Sequence, residues 1–222
     1  MSNFLLLKTN AFEFDKIFSN LQKRWYYYVT LLIVLAVIFA LAFTTKKKRN
    51  NLSKTQKLVY ISVMSALAFV ANSSFGTIHV SDVLQISLVA SVGFIAGYLL
   101  GAVGGFAVSF IGDLLCGIIM PFGAYNPIIA IGTGLWGFVP GIIFTYFKGN
   151  DFVKASISFA TCFLLNSFLI NTFGLSVMYT MSFESLLILL PVKFGVVVIN
   201  AVVSCLMIVV LKKVLPKDKF NV

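Results

Sequence analysis

The sequence predicts an all-α integral membrane protein, a bundle of six helices preceded by one extra N-terminal transmembrane helix. Three observations predict it. Of 222 residues, 59% are hydrophobic and only 11% charged, where a soluble domain carries about 25% charged residues. The charges gather in short intervals between apolar runs. Those runs are continuous and repeatedly close to the roughly 20 residues that a helix needs to cross a bilayer, whereas barrel strands would alternate over about ten residues.

Residues 1–24 form a polar N-terminal segment with Lys8, Lys16, Lys23 and Arg24. Residues 25–45 are uncharged and open on Trp25-Tyr26-Tyr27-Tyr28, an aromatic group suited to a membrane interface. This is the extra helix, read as a retained anchor. A signal sequence is the alternative, because Ala40-Leu41-Ala42 resembles a small-residue cleavage site, although the segment before the apolar run is long for one. Residues 46–57 form a basic linker carrying Lys46, Lys47, Lys48, Arg49, Lys54 and Lys57.

The six-helix domain is expected over 58–215. Its first helix covers 58–81. The stretch 83–147 is interrupted only by Asp113 and has room for three crossings. Gly101-Ala102-Val103-Gly104-Gly105 marks one reversal and the segment from Pro121 to Pro127 another. Residues 155–175 and 185–211, the latter holding Lys193, supply the last two helices, and 216–222 form a tail. With this count Lys148, Lys154, Lys212, Lys213, Lys217 and Lys219 fall on the same side as the basic linker, which places linker and tail in the cytoplasm. The four basic residues before position 25 run against that rule. Because the lysines sit at span ends, with no aromatic residues alternating among them, they do not read as a nucleic-acid face.

Several chemistries are excluded. Cys116, Cys162 and Cys205 lie inside apolar runs without CxxC spacing, and His79 is the single histidine. Neither set builds a zinc or di-metal site. No G-x-x-x-x-G-K-[ST] loop occurs, so the chain has no phosphate cradle with which to hydrolyse ATP alone. No cofactor is expected.

Asp113 and Lys193 stand out, since a charge inside an apolar span costs roughly 2.5–3.5 kcal/mol on insertion scales. Their depths allow either an ion pair between helices or a role in holding a ligand. Around the same outer side gather Asn72, His79, Asp82 and Gln85, then Tyr125 and Asn126, then Asn171 and Tyr179. Amides and aromatic rings above an apolar bundle suit a flat heterocycle. Gly93, Gly97 and Gly101, and likewise Gly134, Gly137 and Gly141, recur at helical spacing and are read as packing positions.

Quoted in order, these residues resemble a known family. Lys57-Leu-Val-Tyr-Ile-Ser-Val-Met-Ser-Ala-Leu67, Gly112-Asp113-Leu-Leu115, Phe122-Gly-Ala-Tyr-Asn-Pro127, Gly134-Leu-Trp-Gly-Phe-Val-Pro-Gly-Ile-Ile-Phe144, Ile170-Asn-Thr-Phe-Gly-Leu-Ser-Val-Met-Tyr179 and Leu189-Leu-Pro-Val-Lys193 resemble the substrate-binding S components of energy-coupling factor (ECF) vitamin transporters, the folate-type branch above all. The resemblance implies a bacterial plasma-membrane subunit that captures a vitamin outside. Folate is the first expectation, and another pterin, pantothenate, cobalamin or a nucleobase derivative remains open. Lys193 stands where folate-type members carry arginine, and Asn126 where they tend to carry phenylalanine.

The resemblance also implies a transmembrane T component and two ATPase subunits as partners. The docking face would lie on the first helix, where Ser62 and Ala66, with Ser65 beside them, form the nearest small-residue pattern. Two rival functions are weighed beside it. One is a self-sufficient transporter coupled to protons through Asp113. The other is an intramembrane enzyme, disfavoured because no nucleophile and base stand in register.

Overall fold

The computed structural model describes residues 52–73, 76–81, 84–120, 125–179 and 186–215, together with Val29, Ala36 and Ala40. The expected extra helix at 25–45 therefore lies outside the described residues apart from those three positions, which are helical. The N-terminal segment, most of the basic linker and the tail also lie outside it.

Helix α1 spans Lys54–Asn72. It starts before residue 58 because Ser53 and Gln56 form a reciprocal capping box, each side chain bonding the other's backbone N–H. It stops short of residue 81 because the chain turns at Ser73, whose hydroxyl donates to the Val70 carbonyl, and then at Gly76. A Cβ on Gly76 would sit 2.5 Å from the Val70 oxygen.

Here the all-helical expectation is corrected. Strand β1 (Thr77–Ser81) and strand β2 (Leu84–Ser87) pair as an antiparallel hairpin with Thr77 opposite Ser87 and His79 opposite Gln85. The physical reason is a period of two: Ile78 and Val80, then Leu84 and Ile86, alternate with polar neighbours.

Helix α2 runs Val89–Ile119 but breaks at Gly101, whose φ of 82° and ψ of −179° favour a residue without Cβ. Eight residues of straight helix would separate Gly97 from Gly105 by about 12 Å. Instead a Cβ on Gly105 would lie 2.5 Å from the Gly97 Cα, so the limbs 89–100 and 102–119 fold back on each other. The reversal expected from the glycine run is thus observed.

Helix α3 (Pro127–Tyr146) begins with Asn126 as N-cap and proline in its first turn. It packs on both limbs of α2 through glycine. Gly137 meets the Gly105 backbone and Gly141 the backbone of Ala102, contacts that leave no room for a side chain. Helix α4 (Asp151–Cys162) continues through a π-helical segment, Phe163–Asn171, into α5 (Thr172–Tyr179), and α6 spans Leu190–Val214.

Among the described residues, four helical stretches have the length and apolar composition to cross a membrane: Val89–Ile119, which is folded at Gly101 into two limbs, Pro127–Tyr146, Asp151–Ser176 and Leu190–Val214. The chain is a multi-pass membrane protein. Its core centres on Phe94, stacked on Phe159 at 4.9 Å and edge-on to Phe144 at 5.7 Å. Because successive helices reverse, one end carries the start of α1, the Gly101 turn, residues 147–150 and the end of α6; this lysine-bearing end is called inner. Asp151 pairs there with Lys212, and with Lys154 at 3.4 Å. The outer end carries the hairpin, Tyr125 and Asn126, and the start of α6.

Candidate functional site

Two polar clusters form at the outer end. The first is built around Asp113, in the second limb of α2. Its Oδ1 accepts from Asn72 Nδ2 at 2.8 Å and from Thr133 Oγ1 at 3.4 Å, so three helices converge on one carboxylate oxygen. Among the described residues no hydrogen bond reaches Oδ2. Cys116, one turn on, directs its thiol to the Asn72 carbonyl at 3.2 Å and so fixes the end of α1 from a second point. One helical turn past Asp113, Gly117 leaves space for the ring of Tyr125, which no side chain larger than hydrogen would allow. Burial, reinforced by the Asp113 carboxylate, pushes the Tyr125 phenol up. Tyr125 therefore stays a protonated donor across the physiological range.

The second cluster joins α6 to the π-helical segment. Lys193 Nζ donates to Asn171 Oδ1 at 2.8 Å. Asn171 is the last residue of that segment. Wider π turns displace side chains relative to an α-helix, and such segments recur at functional sites. Thr172 Oγ1 answers the changed register by donating to the Ser167 carbonyl five residues back, at 3.0 Å.

Asp113 and Lys193 do not pair with each other. Each turns to a neutral amide, so the ion pair weighed from their depths is absent. A cation and an anion held by amides keep their charges available to a third party, whereas a direct pair would consume both.

The remaining expected residues divide. Asn126 is committed within the protein: Oδ1 accepts from the Ile128 N–H at 3.0 Å and Nδ2 donates to the Gly174 carbonyl at 2.9 Å. It is a strut between α3 and α5. His79 and Gln85 face each other across the hairpin by backbone register. Their side chains, that of Tyr179 and the whole of Asp82 lie outside the described part. On α1, Ser62 and Ala66 are exposed beside Leu58, Val59 and Val63, while Ser65 is 3% exposed and faces the bundle.

Sequence reasoning missed Thr133 and Cys116, although Thr133 is the one hydroxyl residue in the apolar run 127–144. It also missed Asn166, whose amide, with oxygen and nitrogen assigned to suit both neighbours, accepts from Trp136 Nε1 at 2.6 Å and donates to the Gly132 carbonyl at 3.3 Å.

Among the described residues, the Asn72–Asp113–Thr133 and Asn171–Lys193 clusters lie toward one end of a membrane-spanning helical body. The chain belongs to the family of ECF-type riboflavin transporter S components, whose model matches residues 51–217. The family resemblance read from the motifs is borne out, and the family is one of transporter subunits rather than enzymes. The fold is similar to that of a solved structure described as the crystal structure of FolT bound with folic acid. That likeness has a TM-score of 0.59 at 17% identity, covering 68% of this chain and 92% of the other. No curated protein matches the chain.

Proposed function

We propose that this chain captures a vitamin at the outer face of a bacterial plasma membrane and delivers it inward as the S component of an ECF importer. A T component and two ATPase subunits would supply the energy, in keeping with the missing phosphate loop. The observation that carries the reading is the convergence of Asn72, Asp113 and Thr133 on one side and Asn171 and Lys193 on another, at the end of the bundle opposite Lys154 and Lys212. Fixed donors and acceptors of both signs suit a flat nitrogen heterocycle with mixed hydrogen-bonding edges. Folate or a related vitamin fits that description. Riboflavin is a second reading, favoured by the family the chain matches.

Docking of the T component is assigned to the exposed side of α1, where Ser62 and Ala66 allow close backbone approach between apolar neighbours. Ser65 faces the other way.

Uptake measurements separate this reading from a self-sufficient transporter. Vesicles holding the chain alone, under an imposed pH gradient, should accumulate neither radiolabelled riboflavin nor folate. Vesicles that also contain the T component and the ATPases should accumulate one of them when ATP is added. Gradient-driven uptake by the single chain would overturn the proposal.

A further inference from the structure

Asn200 lies in the middle of α6 and is 1% exposed. Its side chain nonetheless joins β2 to α2. Oδ1 accepts from the Ser91 backbone N–H at 3.0 Å and from Ser91 Oγ at 2.8 Å, and Nδ2 donates to the Ser87 carbonyl at 3.0 Å. Nδ2 also donates to the Val196 carbonyl at 3.0 Å, which holds the amide in one orientation. Leu88, the N-cap of α2, makes no side-chain capping bond. Ser91 is the third residue of the helix, whose N–H an N-cap side chain ordinarily satisfies; here that N–H is shared between the Leu88 carbonyl at 3.0 Å and Asn200. Asn200 therefore caps α2 from another helix and, with the same amide, holds the last residue of the hairpin.

The depth of this junction is set by lengths. The limb 89–100 is about 18 Å long at 1.5 Å per residue, too short for a hydrocarbon core of about 30 Å. The four residues of β2 add about 13 Å and complete the crossing. Asn200 stands ten residues past Leu190, about 15 Å along α6, and so reaches the same level from the other side. Extended backbone at membrane depth is tolerated only where protein buries it or where it lines a wet cavity. The other root of the hairpin is also tied down. Thr77 Oγ1 donates to the Ala71 carbonyl at 3.3 Å, next to Asn72, which holds Asp113.

We propose that Asn200 is a positioning residue that fixes the Ser87 root of the β1–β2 hairpin at mid-membrane depth, from which the hairpin rises as one wall of the outer site around Asn72 and Asp113. The anchoring stands on the hydrogen bonds alone, while the wall rests on the ligand-capture reading. Loss of the anchor lets the hairpin open locally and a bound ligand leave sooner.

Hydrogen exchange on the purified full chain in lipid nanodiscs, without ligand, tests the anchor. In Asn200→Leu the amides of residues 84–91 should exchange about tenfold faster or more, while those of 151–171 keep their rates. Asn200→Asp is the second variant, since it keeps the acceptor for Ser91 and gives up the amide donor to Ser87; its increase should concentrate at 84–88. Unchanged exchange over 84–91 in both variants, or an equal rise along the whole chain, overturns the anchor. The wall is tested with riboflavin and folate as probes: whichever the unaltered chain retains should dissociate about tenfold faster from Asn200→Leu and at the original rate from the inner-end variant Lys212→Ala. Equal dissociation from Asn200→Leu, with the hairpin loosened, overturns the wall. If the unaltered chain binds neither probe, the ligand-capture reading has failed, and the exchange result still decides whether Asn200 holds the hairpin.

Discussion

The outer and inner halves of this bundle are made by opposite means. In the inner half, glycine meets glycine: Gly97, Gly105 and Gly137 bring three helical segments into backbone contact, and Phe94, Phe144 and Phe159 fill the space beside them. Lipid cannot drive apolar helices together, so this close van der Waals fit supplies the cohesion. In the outer half, polar side chains bridge from helix to helix. A hairpin replaces helix, a π-helical segment replaces α, and the two charged residues inside the spans are held by amides.

The contrast is easiest to break at the glycine seam. Gly137→Val would drive a branched side chain into the Gly105 backbone, which cannot move aside as a flexible side chain would. It should destabilise the fold by about 3 kcal/mol or more, read as a large drop in thermal unfolding temperature in detergent. A normal unfolding temperature would mean that the two halves do not divide the work as described.

Lys193→Ala should do the reverse. Among the described residues the charge it removes is hydrogen-bonded by Asn171 alone, so unfolding temperature should change little while vitamin affinity falls by about 1.5–3 kcal/mol in a binding titration. Lost stability with unchanged affinity would make the Lys193–Asn171 pair a structural clasp. The smallest effect belongs to Lys212→Ala. Its partner Asp151 lies at the inner end, and the lysine side chain is 45% exposed, so the pair should contribute about 0.5 kcal/mol or less. Both unfolding temperature and affinity should stay close to those of the unaltered chain.

Much of the inner half was legible in the sequence, because membrane length, glycine spacing and lysine placement are all one-dimensional signals. The Gly101 reversal and the spans that follow it are examples. The hairpin is hidden because its segment is nearly uncharged and runs on from an apolar span. Ile78-His79-Val80 reads as part of a span if only charge is watched, yet as a strand if alternation is. The π-helical register was not legible, since Phe163–Asn171 is apolar nearly throughout and shows no phase. At the site, Asp113, Lys193, Asn72 and Asn171 could be found as polar residues in or beside apolar runs. Which amide served which charge could not, because the partners are separated by 41 and 22 positions. Asn126 shows the opposite error: an amide in a promising motif whose two ends are spent on a cap and on Gly174.

Asp113 offers the sharpest test of vitamin capture. Titrating riboflavin and folate into the purified chain and into its Asp113→Leu variant should show one vitamin bound more tightly than about 1 μM, some 8 kcal/mol, by the unaltered chain, and at least about tenfold more weakly by the variant while the variant still unfolds cooperatively. Equal affinity in the two, or no binding of either vitamin to the unaltered chain, would contradict the claim that the outer end is built to capture a vitamin.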